Sequence, residues 1–140
     1  MNSIKNKQHS VITVDFDDTL ATTQTTGWGG TSLVPIQRVI DYVKKQHGKG
    51  TKIYIVSFRK TNDKAEVKQF VKQHNIPIVD IICTNGQSKT SYIKGLKSTL
   101  HIDDDLFTLI KLELAGIDTL LVDWEDQLYT NSTAKLFKKI

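Results

Sequence analysis

Apolar residues along the chain fall into short continuous runs separated by stretches with helical spacing. Five runs rich in β-branched residues predict strands, at residues 11–14, 53–56, 78–82, 100–102 and 117–122. Apolar positions three and four residues apart predict helices around residues 36–43, 67–74, 88–96 and 106–116. Strands that alternate with helices predict an α/β fold, a doubly wound, Rossmann-like parallel sheet of five strands with helices on both faces.

Local signals add detail at two helix starts. Asp63 and Glu66 have the spacing of a capping pair ahead of the second helix. Residues 131–133, Asn-Ser-Thr, predict the cap of a short final helix. No repeat, linker or second domain is evident, so the 140 residues are expected to form a single domain.

The most informative polar residues follow predicted strands. Asp15 and Asp17, in a D-x-D-x-T spacing, come directly after the first strand, and alternate residues of an extended chain point the same way. Ser57 follows the second strand, and the acidic run 103–105 follows the fourth. The carboxyl ends of parallel strands form one edge, where ligands bind in open sheets. Two close carboxylates repel, so this edge is expected to hold a cation or a shared proton.

The net charge bears on the class of binding partner and the cysteine content on the cellular location, but neither identifies a substrate. The net charge of +4 and the pI near 9.1 fit an anionic substrate or nucleic acid, but the basic residues are dispersed apart from Lys135, Lys138 and Lys139. Cys83 is the only cysteine, which excludes an internal disulfide and a thiolate metal cluster and favours a cytoplasmic location. No run approaches the ~20 apolar residues that span a bilayer, so a soluble chain with no membrane partner is expected.

With these residues considered together, the chain resembles the haloacid dehalogenase (HAD) superfamily, specifically its aspartate-nucleophile phosphohydrolases. The resemblance runs from about residue 11 to residue 122. The first family motif is matched by residues 15–20, Asp-Phe-Asp-Asp-Thr-Leu, the second by Ser57, and the acidic fourth motif by Asp103 and Asp104. The family usually has glycine where this chain has Asp18, which adds a carboxylate near the site.

The third motif of the family is a lysine in a loose context. Lys89 is the candidate chosen here, and Lys94 and Lys97 are the alternatives. The resemblance implies that this lysine offsets negative charge on the nucleophile and on the transferring phosphoryl group.

The resemblance also implies a role for each of the other motif residues. Asp15 is expected to attack phosphorus and form an aspartyl-phosphate, and Asp17 to protonate the leaving oxygen and then activate water. The hydroxyl of Ser57 is expected to bind a phosphate oxygen. Mg²⁺ is the implied cofactor, held by Asp15, Asp103 and the backbone carbonyl of Asp17, with Asp104 orienting a metal-bound water.

The segment after the first motif is expected to set the choice of substrate. In the family it forms a turn and a hairpin flap, here predicted around residues 20–32, and larger members insert a cap domain for which this chain has no room. A single helix fills the second insertion point, so a minimal, capless form with an open site is expected. Trp28, flanked by glycines, is a candidate to stack on a base or to shield the phosphate; packing of the flap onto the core is the alternative.

Several nearby residues have more than one interpretation. Arg59 is a candidate to fork onto a second phosphate or a substrate carboxylate, or else an exposed surface arginine. Asp105 is interpreted as an acid at a helix N-terminus, His101 as a strand residue and Asp123 as structural.

The sequence therefore predicts a Mg²⁺-dependent phosphomonoester hydrolase acting on a phosphorylated small molecule or a nucleic-acid end, the nucleotide and nucleic-acid ends being slightly favoured. A catalytically silent domain and a phosphoacceptor signalling domain of related architecture are the alternatives. A receiver-type domain needs its acceptor Asp after the third strand, where this chain has Thr84 and Asn85. The oligomeric state is left open.

Overall fold

The computed structural model describes residues 7–123 and 128–130, the last three by their backbone. The strands are β1 (Val11–Val14), β2 (Ala21–Thr25), β3 (Thr31–Pro35), β4 (Lys52–Ser57), β5 (Asp80–Cys83), β6 (Leu100–Asp103), β7 (Asp118–Val122) and β8 (Leu128–Thr130). The helices are α1 (Gln37–Gly48), α2 (Lys64–Gln73), α3 (Thr90–Gly95) and α4 (Leu106–Leu114), and a 3-10 turn at Thr61–Asp63 precedes α2.

The strands form one large sheet in the order β5-β4-β1-β6-β7-β8. The first five in this order are parallel, and β8 pairs antiparallel with β7 at the edge. The predicted parallel sheet of five strands is confirmed, and β8 is an addition that the sequence did not indicate. Numbered along the chain, the parallel strands have the Rossmann order 3-2-1-4-5.

Alternating side chains on the central strands cover both faces of the sheet. Ile12 and Val14 of β1 pack with Ile53 and Ile55 of β4 in the larger buried cluster, which includes the apolar faces of α1 and α2. Val56 points to the opposite face, where the smaller cluster contains residues of α3 and α4. The predicted helices on both faces are therefore confirmed, and the period-two alternation of β4 explains why one strand serves two cores.

The predicted helices are present, but one predicted cap is wrong. Asp63 precedes α2 without a side-chain capping bond. Glu66 instead accepts a hydrogen bond from Nη1 of Arg59 at 3.0 Å, because an arginine in the preceding loop offers it a charged partner. Asp105 does cap α4, accepting from the backbone N–H of Thr108. The helix expected after residue 130 lies outside the described residues.

A tight turn and a hairpin connect β1 to α1. The carbonyl of Phe16 accepts the N–H groups of Thr19, Leu20 and Ala21, and β2 and β3 then pair as a separate two-stranded sheet. The segment expected to form a flap around residues 20–32 is this hairpin, which extends to Pro35.

The turn places Asp18 in a backbone conformation that glycine adopts most easily. Asp18 has a φ of 58°, in the left-handed region that glycine enters most easily and that Asp and Asn tolerate better than other side chains. Its carboxylate accepts a hydrogen bond from the Thr22 hydroxyl at 3.0 Å. Asp at this position thus keeps the turn by adding a local side-chain bond.

Within the described ranges 7–123 and 128–130, the helices are too short or too polar to cross a lipid bilayer.

Substitutions at Asp18 should separate backbone conformation from side-chain bonding. Asp18→Gly relieves the positive φ but loses the bond to Thr22, so its free energy of unfolding should stay within about 1 kcal/mol of wild type. Asp18→Val keeps the strain and loses the bond, and should be about 1–2 kcal/mol less stable than the glycine variant. Urea unfolding measures both, and equal stability of the two variants would contradict the argument.

Candidate active site

The candidate site lies where the strand order reverses. From β1 the chain first builds outward through β4 and β5, then returns to place β6 on the other side of β1. Asp15 directly follows β1, Asp103 ends β6 and Ser57 ends β4. Helices leave the sheet in opposite directions at this point, which opens a crevice at the carboxyl ends of the strands.

A buried lysine connects the two central carboxylates. The Nζ atom of Lys89 lies 2.8 Å from Oδ1 of Asp15 and 2.8 Å from Oδ2 of Asp103. The side chains of Lys89 and Asp103 are 0% exposed and that of Asp15 is 8% exposed. Nζ also lies 4.5 Å from the centre of the Phe58 ring, a cation–π distance. Lys89 therefore holds the ends of β1 and β6 together through charge.

The pKa values follow from this burial and charge. Burial, with the negative charge of Asp103, raises the pKa of Asp15 well above its usual range, against the opposing effect of Lys89. Burial disfavours the ammonium of Lys89, but the charges of Asp15 and Asp103 outweigh it and raise the lysine pKa. Lys89 is thus held as a cation.

Asp103 is held from the opposite side by a buried hydrogen-bond network. Its Oδ2 atom lies 2.7 Å from Nε2 of His101, whose Nδ1 lies 2.8 Å from the hydroxyl of Thr13. Burial lowers the pKa of His101 against the opposing effect of Asp103, and the two ring nitrogens bridge the Asp103 carboxylate and the Thr13 hydroxyl. Burial alone would raise the pKa of Asp103, but His101 and Lys89 outweigh it and lower that pKa. Asp103 therefore stays ionised.

Asp15, Asp103 and Asp104 form a cluster of oxygen ligands. One carboxylate oxygen from each lies within 4.8 Å of the others. Burial, aided by the charge of Asp103, raises the pKa of Asp104 to about 6. The Thr19 hydroxyl lies 3.2 Å from Asp15 and 3.4 Å from Asp104, so the motif threonine fixes both carboxylates. The clustered carboxylate oxygens are hard donors, which fit a divalent cation such as Mg²⁺.

Ser57, Asp17 and Arg59 form a second hydrogen-bonded group of candidate site residues. Ser57 is buried, and its Oγ accepts the backbone N–H of Arg59 at 3.1 Å, a contact that leaves the hydroxyl proton unused. Asp17 is more exposed, and Arg59 binds both of its oxygens, Nε to Oδ2 and Nη2 to Oδ1, each at 2.9 Å. The alternative prediction, that Arg59 is an exposed surface arginine, is therefore wrong, because its guanidinium binds the carboxylate of Asp17.

Two solved structures of known proteins resemble this chain in three dimensions. A 3-deoxy-D-manno-octulosonate 8-phosphate phosphatase from Moraxella catarrhalis, solved with magnesium, phosphate and KDO, superposes with a TM-score of 0.55 and 21% identity over 76% of this chain and 64% of that one. A Vibrio cholerae protein described as a candidate for the same activity gives a TM-score of 0.54 and 21% identity over 76% of this chain and 62% of that one. The chain has the HAD-like fold.

Comparisons by sequence find no equivalent match. No family model matches the chain, and no curated protein matches it. The chain covers less than two thirds of the length of the two solved structures. The resemblance to these structures, at 21% identity, establishes the HAD-like fold but not the chemistry of the site.

The structure separates the remaining candidates. Lys89 reaches the carboxylates, whereas Lys94 and Lys97 are exposed. Trp28, at the tip of the β2–β3 hairpin, is 98% exposed, so its predicted alternative of packing the flap onto the core is wrong. The glycines around Trp28 extend the tip into solvent, where no core surface is available to the ring. Asp123, which the sequence analysis interprets as structural, lines the same cavity as Asp104.

His101, Thr13 and Thr19 support the site, and their roles were not predicted. His101 was interpreted as an ordinary strand residue, which its place in β6 confirms, but its side chain also fixes Asp103. The signal was available in the alternation of β6, because residues 101 and 103 lie two apart and face the same side of the strand. Thr13 could not be found this way, since its contact with His101 joins residues 88 positions apart.

Removal of the Lys89 charge should destabilise the fold in a pH-dependent way. Lys89→Met leaves Asp15 and Asp103 facing each other without a counter-ion, which should cost about 3–5 kcal/mol of unfolding free energy near neutral pH. The two carboxylates should then bind protons more tightly in the folded than in the unfolded state. The folded state therefore takes up protons at a higher pH than the unfolded state does. The unfolding free energy lost in Lys89→Met should accordingly become smaller as the pH falls from about 7 to about 5.

Lys94→Met is the matched control, because Lys94 is exposed on the neighbouring helix α3. Its unfolding free energy should change by less than about 0.5 kcal/mol at either pH. Equal stability of the two methionine variants in denaturant melts would show that Lys89 does not hold the strand ends together.

Proposed function

We propose that the chain is a phosphomonoester hydrolase that forms an aspartyl-phosphate on Asp15. The observation that carries the proposal is the buried Lys89 ammonium, placed 2.8 Å from both Asp15 and Asp103 at the carboxyl edge of the sheet. An ammonium at this point lowers the cost of bringing a phosphate dianion to a carboxylate nucleophile. The HAD-like fold and its phosphatase neighbours support this assignment.

The proposed reaction has two displacements on phosphorus. In the first, a carboxylate oxygen of Asp15 bonds to phosphorus as the bond to the leaving oxygen breaks, and Asp17 gives its proton to that oxygen. In the second, water bonds to phosphorus and gives a proton to Asp17, and the bond between phosphorus and Asp15 breaks. Inorganic phosphate leaves, and both aspartates return to their starting protonation states.

Two further residues would bind the phosphoryl group. Ser57 ends β4 beside β1, and its hydroxyl proton is positioned to hydrogen-bond a phosphate oxygen. Lys89 would offset charge on the phosphoryl oxygens in both steps. These roles need a hydroxyl and a fixed cation, and burial of both side chains keeps water from competing for them.

We infer that Mg²⁺ is the cofactor. Asp15, Asp103 and the backbone carbonyl of Asp17 would hold it, and Asp104 lies within the same oxygen cluster. When bound, the ion would neutralise charge on the phosphate and on the carboxylates. The protein's part is to keep Asp103 ionised through His101 and Lys89, so that an anionic ligand is ready for the cation.

A phosphorylated small molecule is the substrate class that the site favours. A cavity of about 940 Å³ adjoins Asp104 below the hairpin, and Asp18, Thr22, Gln24 and Arg38 are among its lining residues. Among the described residues, its three aspartates, at positions 18, 104 and 123, outnumber the single cation Arg38 and so oppose the additional phosphates of a polynucleotide, whereas hydroxyl groups can bind to carboxylates and amides. We therefore propose a hydroxyl-bearing phosphomonoester over the nucleic-acid end that the sequence slightly favoured.

We extend the proposal to the domain organisation and the cellular location of the protein. A single capless domain, with one helix between β4 and β5, would leave the site open to such substrates. The lone thiol of Cys83 fits a reducing cytoplasm, where structural disulfides are rare.

The alternative of a receiver-type phosphoacceptor is disfavoured by topology. Receiver domains have the parallel strand order 2-1-3-4-5, and this sheet has the order 3-2-1-4-5. The segment after β5 contains Thr84 and Asn85 where an acceptor aspartate would be needed. A catalytically silent domain stays the second hypothesis, and activity measurements separate it from an enzyme.

Asp15→Asn should abolish phosphatase activity while the fold is kept. We expect release of inorganic phosphate from 4-nitrophenyl phosphate to require Mg²⁺, to stop with a chelator, and to fall by roughly 10³-fold or more in the variant. Asp41→Asn is the control, because Asp41 is exposed on α1 and, within residues 7–123, accepts a side-chain hydrogen bond from Gln37. Wild-type turnover by Asp15→Asn would rule out the nucleophile, and inactivity of the wild type on every phosphomonoester tested would favour the silent domain.

Trp28→Ala should report whether ligands reach the hairpin tip. Because the ring is exposed, the substitution should change the free energy of unfolding by less than about 0.5 kcal/mol. If Trp28 stacks on a base, kcat/KM should fall for nucleotides and phosphorylated oligonucleotides but not for sugar phosphates. A screen of these three classes with both proteins measures this, and an equal loss across all of them would reject the stacking role.

A further inference from the structure

Arg59 holds Asp17 in a two-point fork at the mouth of the site. Nε and Nη2 each donate to a different oxygen of the Asp17 carboxylate at 2.9 Å, the bidentate geometry that the planar guanidinium favours. The side chain of Arg59 is only 16% exposed, whereas that of Asp17 is 43% exposed. The fork therefore joins a well-packed cation to a carboxylate that faces solvent.

Three other contacts fix the position of Arg59. Glu66 of α2 accepts from Nη1 at 3.0 Å, and the guanidinium carbon lies 5.2 Å from the centre of the Phe16 ring. Phe16 is fully buried and meets Phe70 of α2 edge to face at 5.3 Å. The backbone N–H of Arg59 donates to Ser57. Arg59 is thus anchored to helix, core and the end of β4 at once.

We propose that Arg59 is a positioning residue for Asp17, a role that rests on the function proposed above. The sequence suggested that its guanidinium would bind a substrate phosphate or carboxylate. The geometry assigns it instead to the chain's own acid–base aspartate, because three of its N–H groups already reach Asp17 and Glu66. The hydrogen bonds that Arg59 donates to Asp17 raise the pKa of Arg59, and the bond that it donates to Glu66 adds to this effect, so the fork stays charged.

The role follows from the first displacement. As the bond to the leaving oxygen breaks, Asp17 transfers its proton to that oxygen and becomes a carboxylate. A bidentate guanidinium binds the carboxylate more strongly than the neutral acid, so the fork strengthens as the proton leaves. It also restricts an exposed side chain to one orientation, which maintains the short approach that proton transfer requires. Both effects matter most when the leaving oxygen is strongly basic.

Two substrates that differ in their leaving group can distinguish a positioning role of Arg59 from a purely structural one. Phenyl phosphate and 4-nitrophenyl phosphate have nearly the same shape, but the nitrophenolate leaves with little help from an acid. Arg59→Ala should raise the ratio of kcat/KM for 4-nitrophenyl phosphate over phenyl phosphate by roughly tenfold, through kcat for the phenyl ester. Asp17→Asn should shift the ratio in the same direction.

Graded variants sharpen the comparison. Arg59→Lys keeps a charge without a fork and should give an intermediate ratio. Glu66→Gln, which removes the charged support of Arg59, should shift the ratio less than Arg59→Ala. Lys60→Ala alters an exposed neighbour in the same loop and should leave the ratio unchanged. The ratio does not depend on the folded fraction of a preparation, so it can be read even if Arg59→Ala is less stable.

Each contrary result has a separate meaning. If Arg59→Ala lowers kcat/KM equally for both esters, or raises KM for both without changing kcat, then Arg59 does not position Asp17 and the inference is overturned. If the wild type hydrolyses neither ester nor any other phosphomonoester, the proposed function fails first. An unchanged ratio in Arg59→Ala beside a shifted ratio in Asp17→Asn would reject Arg59 alone.

Discussion

The structure depends on one buried ammonium. Lys89 lies between carboxylates at the ends of β1 and β6, the two strands where the sheet reverses its order. Without it, two buried like charges would face each other in a medium of low dielectric constant, at a cost of several kcal/mol. In the proposed function the same ammonium would offset the charge of an incoming phosphate, so one interaction would serve both the fold and the chemistry.

Around this ammonium, each carboxylate has its own environment. His101 and Lys89 keep Asp103 ionised, burial raises the pKa of Asp15 and Asp104, and Arg59 holds Asp17 at the solvent side. The same residue type therefore lies in different environments, in line with the different tasks that we propose: metal ligand, nucleophile and acid–base group. A division of this kind between close carboxylates is how a single fold performs acid and base chemistry at one pH.

The fold was predictable because its signals are local. The β-branched runs at β1 and β4, and the helical spacing in α1, specify elements whose order leaves few topologies. Motif positions directly after strands placed Asp15, Ser57 and Asp103 at one edge. The sixth strand was missed because β8 is short and pairs only at the margin of the sheet. The capping role of Glu66 failed because a nearby arginine offered a stronger partner.

The sequence by itself determined the α/β order, the parallel sheet and the convergence of three strand ends, because these follow from periodicity and from which residue follows each strand. Only the tertiary structure decided which lysine enters the site, since Lys89, Lys94 and Lys97 look alike along the chain. It also decided that Arg59 binds Asp17, across 42 positions, and that Thr13 supports His101, across 88. Such contacts are set by the distance between side chains after packing, which no local pattern encodes.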